Sequence, residues 1–249
     1  MATVAIPKSK LRFENLFFSG LAVVILVSVF VGFAPSYYLA SVFKAPPLPN
    51  LLVHIHGVVF TLWILLLVVQ TSLVTAGRTD VHRRLGMAGF GLACLVVVLG
   101  TLVATENLAN NYPSTPDRQA SFRAFYAVAL ADMLMFATLI YFAYRNRFSP
   151  AVHKRLILIA TLAILDAAFD RWKVPVPWWD YRFTPLLCTY PLLLLLMGYD
   201  WWSTGKIQRV TLSASFFLVV VQYGRILAGH TVAWQRFAGW VYAHSGVFH

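Results

Sequence analysis

An α-helix that crosses a bilayer needs about 20 mostly apolar residues. This chain of 249 residues offers seven such runs in succession, at roughly 16–35, 51–76, 85–105, 122–144, 151–172, 184–200 and 210–229. Hydrocarbon supplies no partners for backbone N–H and C=O groups, so each run must satisfy its own as a helix. The expectation is an all-α fold: one integral membrane domain over 1–249, a seven-transmembrane helix bundle with a C-terminal interfacial helix. Charged residues make up 12% of the chain, against about a quarter in soluble domains. That leaves too little polar surface to cover a water-soluble globule.

The ends of the runs carry the signals of helix boundaries. Asn50 can cap the second run after the stretch Pro46-Pro47-Leu48-Pro49, and Ser149-Pro150 and Thr184-Pro185 pair an N-cap with an N1 proline. Pro191 lacks an N–H and predicts a kink in the sixth run. Lys8, Lys10 and Arg12 before an apolar stretch resemble a signal peptide, but 16–34 exceeds an ordinary signal core and reads as the first span. Cys94 and Cys188 fall inside apolar runs and read as small core residues. A net charge of +11 would raise nucleic acid as a partner of a soluble chain. Here Lys and Arg gather at helix ends, where membrane lipid phosphates are the expected partners and no nucleic acid is.

One side of the bundle collects Lys8, Lys10, Arg12, Arg78, Arg83, Arg84, Arg145, Arg147, Lys154, Arg155, Lys206 and Arg209, twelve of the 20 basic residues. The positive-inside rule puts that side, and the N-terminus, in the cytoplasm, and seven crossings put the C-terminus outside. Trp172, Trp178, Trp179 and Tyr181 then mark the outer boundary, and Tyr199, Trp201 and Trp202 the inner one. Gly86, Gly89, Ala93 and Gly100 give the third run a small-residue face for close helix approach within the core. Trp234, Phe237, Trp240 and Val241 recur at helical spacing in the tail, the pattern of an interfacial helix.

Ionisable groups inside a span cost several kcal/mol and turn toward partners or cavities. At about 1.5 Å per residue, His54, His56, Asp166, Asp170, Gln222 and Arg225 fall at similar depth in the outer half, with Glu106 and His230 at helix ends beside them. Asp132 lies deeper. Asp166 and Asp170 share a helix face and repel, so something must relieve them: Arg225 by depth, with Arg171, a metal or a protonated carboxyl as alternatives. His54 and His56 point about 200° apart on a helix, so they cannot both ligate one metal without unwinding. His56 is the metal ligand if there is one.

On the cytoplasmic side, Asp80-Val81-His82-Arg83-Arg84-Leu85 and Ala151-Val152-His153-Lys154-Arg155-Leu156 echo one another. Each sets a His and two cations at a helix start, which favours an anion. His82, Arg83, Arg84, His153, Lys154 and Arg155 are accordingly expected at lipid phosphates. A site shared by His82 and His153, such as an axial haem pair, is the alternative. His56 with His230 is a second possible haem pair.

Several chemistries lack their residues. No lysine lies deep in the seventh run, which disfavours a retinal Schiff base. There is no His-Glu-x-x-His and no His-x-x-x-His on that run, a departure from the seven-helix zinc hydrolases of the ceramidase and progestin-receptor type. Taken together, His54-Ile55-His56-Gly57, His82-Arg83-Arg84-Leu85-Gly86 and His153-Lys154-Arg155-Leu156 resemble a group of bacterial multi-pass membrane proteins with no assigned activity. The resemblance implies a bacterial inner-membrane location. The expected function is small-ligand binding, or membership of a larger assembly with other membrane subunits, through a His/Asp/Arg site in the outer half. A b-type haem redox protein and a metal-dependent hydrolase are the rivals.

Overall fold

A computed structural model describes residues 8–172 and 184–245; Trp178, Trp179 and Tyr181 lie outside them. Every regular element among these residues is helical. Helix α1 (Lys8–Phe33) runs on into a π-helical turn at Ala34–Tyr38, where the Leu39 N–H reaches back five residues to the Ala34 carbonyl (2.8 Å). Then come α2 (Leu51–Thr75), α3 (Thr79–Asn110), α4 (Pro116–Arg145), α5 (Pro150–Ala163) and the single turn α6 (Asp166–Phe169). A second π-helical turn at Pro185–Thr189 leads into α7 (Tyr190–Thr204), followed by α8 (Arg209–Gly229) and α9 (Val232–His244).

The seven-span expectation does not hold. Among the described residues five helices are long and apolar enough to cross a membrane: Arg12–Tyr38, Leu51–Thr75, Thr79–Asn110, Pro116–Arg145 and Arg209–Gly229. The fifth and sixth runs are interrupted. After Ala163 the chain tightens, with Ile164 N–H bonded to the Thr161 carbonyl (3.3 Å) and Leu165 N–H to that of Leu162 (3.1 Å). These three-residue steps end α5 after 14 residues. In the sixth run the widened turn at Pro185–Thr189 precedes α7, which spans 15 residues and carries Pro191 at its start. A proline ring cannot continue the ordinary ladder beneath it, and the Tyr190 N–H bonds instead to the Pro185 carbonyl, five residues back. Hydropathy counts apolar residues and is blind to such breaks. What remains is a multi-pass, all-α membrane bundle.

Helix α4 is the hub, packed against α3, α5, α8 and α9. Its Phe136 is fully buried and meets Trp63 of α2 edge-on at 5.1 Å, while the Trp63 indole N–H donates to Thr161 Oγ1 (3.2 Å) on α5. Large apolar side chains such as Val27, Leu62, Leu65, Leu134 and Phe216 point outward, the surface that acyl chains cover. Small residues set two of the closest approaches. A methyl group on Gly89 would press on Leu66 of α2, and one on Gly100 would strike the Met133 thioether of α4, so this face serves core packing. Gly32 lies directly on the backbone of Ala168, bringing α1 against α6, and the Trp172 indole N–H donates to the Ser28 carbonyl (3.1 Å) beside it.

The caps divide. Asn50 Oδ1 accepts from the Val53 N–H (3.0 Å) as expected, whereas Ser149 makes no side-chain cap bond and the Thr184 hydroxyl is used elsewhere. Helix α9 folds back on the start of α4. The Trp234 indole N–H donates to the Arg123 carbonyl (2.8 Å), Gln235 donates to the Ala120 carbonyl (3.0 Å), and Ala238 is fully buried.

Candidate functional site: two carboxylates around one guanidinium

Asp166 opens α6 directly after the break in the fifth run and is 4% exposed. The break matters because it frees the carboxylate from a continuous helix side and lets three donors from two elements reach it. From α8, Arg225 Nη2 donates to Asp166 Oδ2 (3.1 Å), and Gln222 Nε2, one turn earlier, donates to the same oxygen (2.8 Å). From the π-helical turn, the Thr189 hydroxyl donates to Oδ1 (2.5 Å). Arg225 also donates through Nη1 to Asp132 on α4. One guanidinium thus faces two carboxylates among the described residues, with Arg225 6% exposed.

One turn beyond Asp166, Asp170 accepts from the Thr184 hydroxyl. Arg171 donates to the Ala167 carbonyl (2.5 Å) and lies over the Phe33 ring at 4.5 Å, near enough to Asp170 for the two charges to attract. The repulsion between the two neighbouring aspartates is therefore eased by hydroxyls from the Thr184–Thr189 stretch and by Arg171 as well as by Arg225. Depth arithmetic points to Arg225, but Thr184 reads only as a cap and Thr189 is not singled out. Two polar atoms of the cluster stay unpartnered although buried, Gln222 Oε1 and Arg225 Nε. An unmet buried acceptor and donor beside two carboxylates that share one guanidinium leave hydrogen-bonding capacity for a further polar group.

The histidines stand apart from this cluster. Exposed His54 meets the Tyr37 hydroxyl at 3.3 Å through Nδ1. His56 lies against Phe60 of its own helix, ring centres 4.1 Å apart and planes tilted by 34°, and leaves Nδ1 unpaired. His230 is exposed just past the end of α8. No described contact joins His56 to His230 or either to Asp166. Glu106 accepts from Asn50 and from Asn110 (3.4 Å), tying the end of α3 to the start of α2.

At the opposite end, Arg155 does not lie at the headgroup surface where it was expected. It is 2% exposed and donates through Nε (2.9 Å) and Nη2 (2.5 Å) to Asp200 Oδ1, and through Nη1 to the Ala151 carbonyl (2.6 Å). Asp200, wholly buried on α7, spends its other oxygen on the Gln208 N–H (3.2 Å) and the Thr211 hydroxyl (2.5 Å) of α8. Lys154 pairs with Glu14 of α1 and lies over the Phe18 ring at 4.6 Å. Arg83 and Arg84 are exposed. His82 and His153 face each other, ring centres 6.4 Å apart and planes 84° apart. Asp200 escaped the sequence reading because a single acid beside Trp201-Trp202 looks like an ordinary boundary residue.

No group of three or more His, Cys, Asp or Glu side chains arranged to hold a metal ion occurs among the described residues. Comparison with protein-family models, with curated proteins and with solved structures finds no match to the chain.

Proposed function

We propose that this integral membrane protein binds a small cationic ligand, in the simplest case a proton or monovalent cation, at the Asp132–Arg225–Asp166 cluster. The observation that carries the reading is the coincidence of two interrupted helices with one buried charge imbalance. Asp166 follows the break after α5, and Thr189 ends the widened turn before α7. Broken helices inside a membrane bundle are tolerated where they line a binding cavity, and they supply carbonyls and hydroxyls for a cation. The formal charge of the triad is −1, which a cation neutralises. In this reading the cluster occupies the outer half of a bacterial inner-membrane protein whose N-terminus is cytoplasmic.

Sodium and methylammonium serve as probe cations on the detergent-purified full chain, with thermal unfolding as the readout. A ligand that binds only the native state adds about 2.7 kcal/mol at a hundredfold excess over Kd. One of the two cations, or acidification, is expected to raise Tm in the wild type and to lose that effect in Asp132→Asn, which keeps an acceptor for Arg225. Equal responses in wild type and Asp132→Asn to all three would remove the proposal.

A further inference from the structure

A second site, independent of the first, lies at the other end of α2. We propose that His82 and His153 are the axial ligands of a haem, a low-spin iron centre held between α3 and α5.

The geometry of the two imidazoles carries this. Metal–nitrogen bonds of about 2 Å on each side of one metal put ring centres about 6 Å apart, and these rings stand 6.4 Å apart. Their helices are not principal packing partners: α3 lies against α2 and α4, and α5 against α4 and α8. The rings therefore approach each other from two helices that each pack chiefly on other elements. Each ring is also held from behind through Nδ1. His153 Nδ1 lies 2.9 Å from the Ala143 carbonyl, which can only accept, so Nδ1 carries the proton and Nε2 keeps its lone pair. His82 Nδ1 lies 2.8 Å from the side-chain amide of Gln70 on α2. With the Gln70 nitrogen toward the ring, the amide also meets the His82 carbonyl and the Gly86 N–H, and His82 then carries its proton on Nε2. Ligation by His82 requires the opposite orientation, in which the Gln70 oxygen faces the ring, the proton moves to Nδ1 and Nε2 is freed for iron, at the cost of the Gln70 contacts with the His82 carbonyl and the Gly86 N–H. Second-shell acceptors of this kind orient metal-bound imidazoles.

The donor set selects the ligand. No third His, Cys, Asp or Glu joins the pair among the described residues, whereas a structural zinc site uses four protein ligands and a catalytic one three. A porphyrin brings four nitrogens of its own and asks the protein for two axial groups. Charge agrees: the exposed Arg83 and Arg84 follow His82, and guanidinium groups pair with the carboxylates that a haem carries. Lys154 and Arg155 are already engaged by Glu14 and Asp200, so they do not repel the iron as free cations.

The test is haemin titration of the purified full chain, followed by absorption spectra before and after dithionite. The proposal requires a Soret band saturating at about one haem per chain and a six-coordinate low-spin reduced spectrum. His82→Ala and His153→Ala should each lower haem retention at least tenfold, with His56→Ala and His230→Ala at wild-type levels. Should an alanine variant aggregate, His82→Met keeps a ligand and is expected to raise the reduction potential while retaining haem. No Soret band, a band that survives both alanine changes, or a stoichiometric metal without porphyrin by elemental analysis would each overturn it. Asp132→Asn leaves haem binding unchanged, so the two sites fail or succeed separately.

Discussion

Arg225 and Arg155 are the two guanidinium groups buried deepest among the described residues, and each is held by aspartate from another element. A guanidinium cannot shed its proton to suit an apolar setting, so removing its partner strands a charge. Truncating one member of a buried pair costs about 3–5 kcal/mol. Asp200→Ala is expected to fall in that range by chemical unfolding in micelles, because Arg155, the Gln208 N–H and the Thr211 hydroxyl lose their acceptor together. Thr189→Val should cost about 1–3 kcal/mol, the penalty for one lost bond to a buried carboxylate. Depth along an apolar run brought Asp166 and Arg225 to one level from sequence. It could not reveal that Arg225 also reaches Asp132 or that Arg155 turns inward, since both depend on which way each helix faces.

At the scale of elements, the long uninterrupted runs were legible and the broken ones were not. Periodicity and length mark α1, α2, α3, α4 and α8 because a continuous backbone ladder needs only apolar residues without breakers. The break after Ala163 has no proline or glycine to announce it; three-residue hydrogen bonds within an ordinary apolar sequence make it. The sixth run had its warning in Pro191, which predicted a kink, while Pro185 read as an N1 proline; the run instead splits into a widened turn and a short helix. Glycine placement gives a test of packing at this scale. Nothing lies within 4 Å of a methyl group on Gly20, whereas one on Gly32 collides with the Ala168 backbone. Gly20→Ala should be neutral or stabilising by up to about 1 kcal/mol, since alanine favours the helix. Gly32→Ala should destabilise by about 1–3 kcal/mol through overpacking. Equal Tm values for the two variants would contradict the close contact of α1 with α6.

Across the whole molecule, the buried charged clusters sort into two layers separated by a middle whose buried polar groups are uncharged, such as Thr161 and Ser215. Asp132, Asp166, Gln222 and Arg225 form one, while Glu14, Lys154, Arg155, Asp200 and the His82–His153 pair form the other. Between them Phe136, Met135, Ile159 and Leu218 are fully buried and carry no charge. Substitutions more than about 7–10 Å apart without shared partners add to within about 0.5 kcal/mol. Asp200→Ala and Asp166→Ala should accordingly be additive in unfolding free energy. Within the Asp132–Arg225–Asp166 cluster the behaviour reverses, because two carboxylates share one guanidinium.

That reversal supplies the decisive measurement: a double-mutant cycle on Arg225→Ala and Asp166→Ala, followed by reversible unfolding of the purified protein. Convergence of these side chains predicts a coupling of at least about 1 kcal/mol, with the double variant more stable than Arg225→Ala alone. Losses that simply sum, to within about 0.5 kcal/mol, would mean that the two residues do not share a buried site.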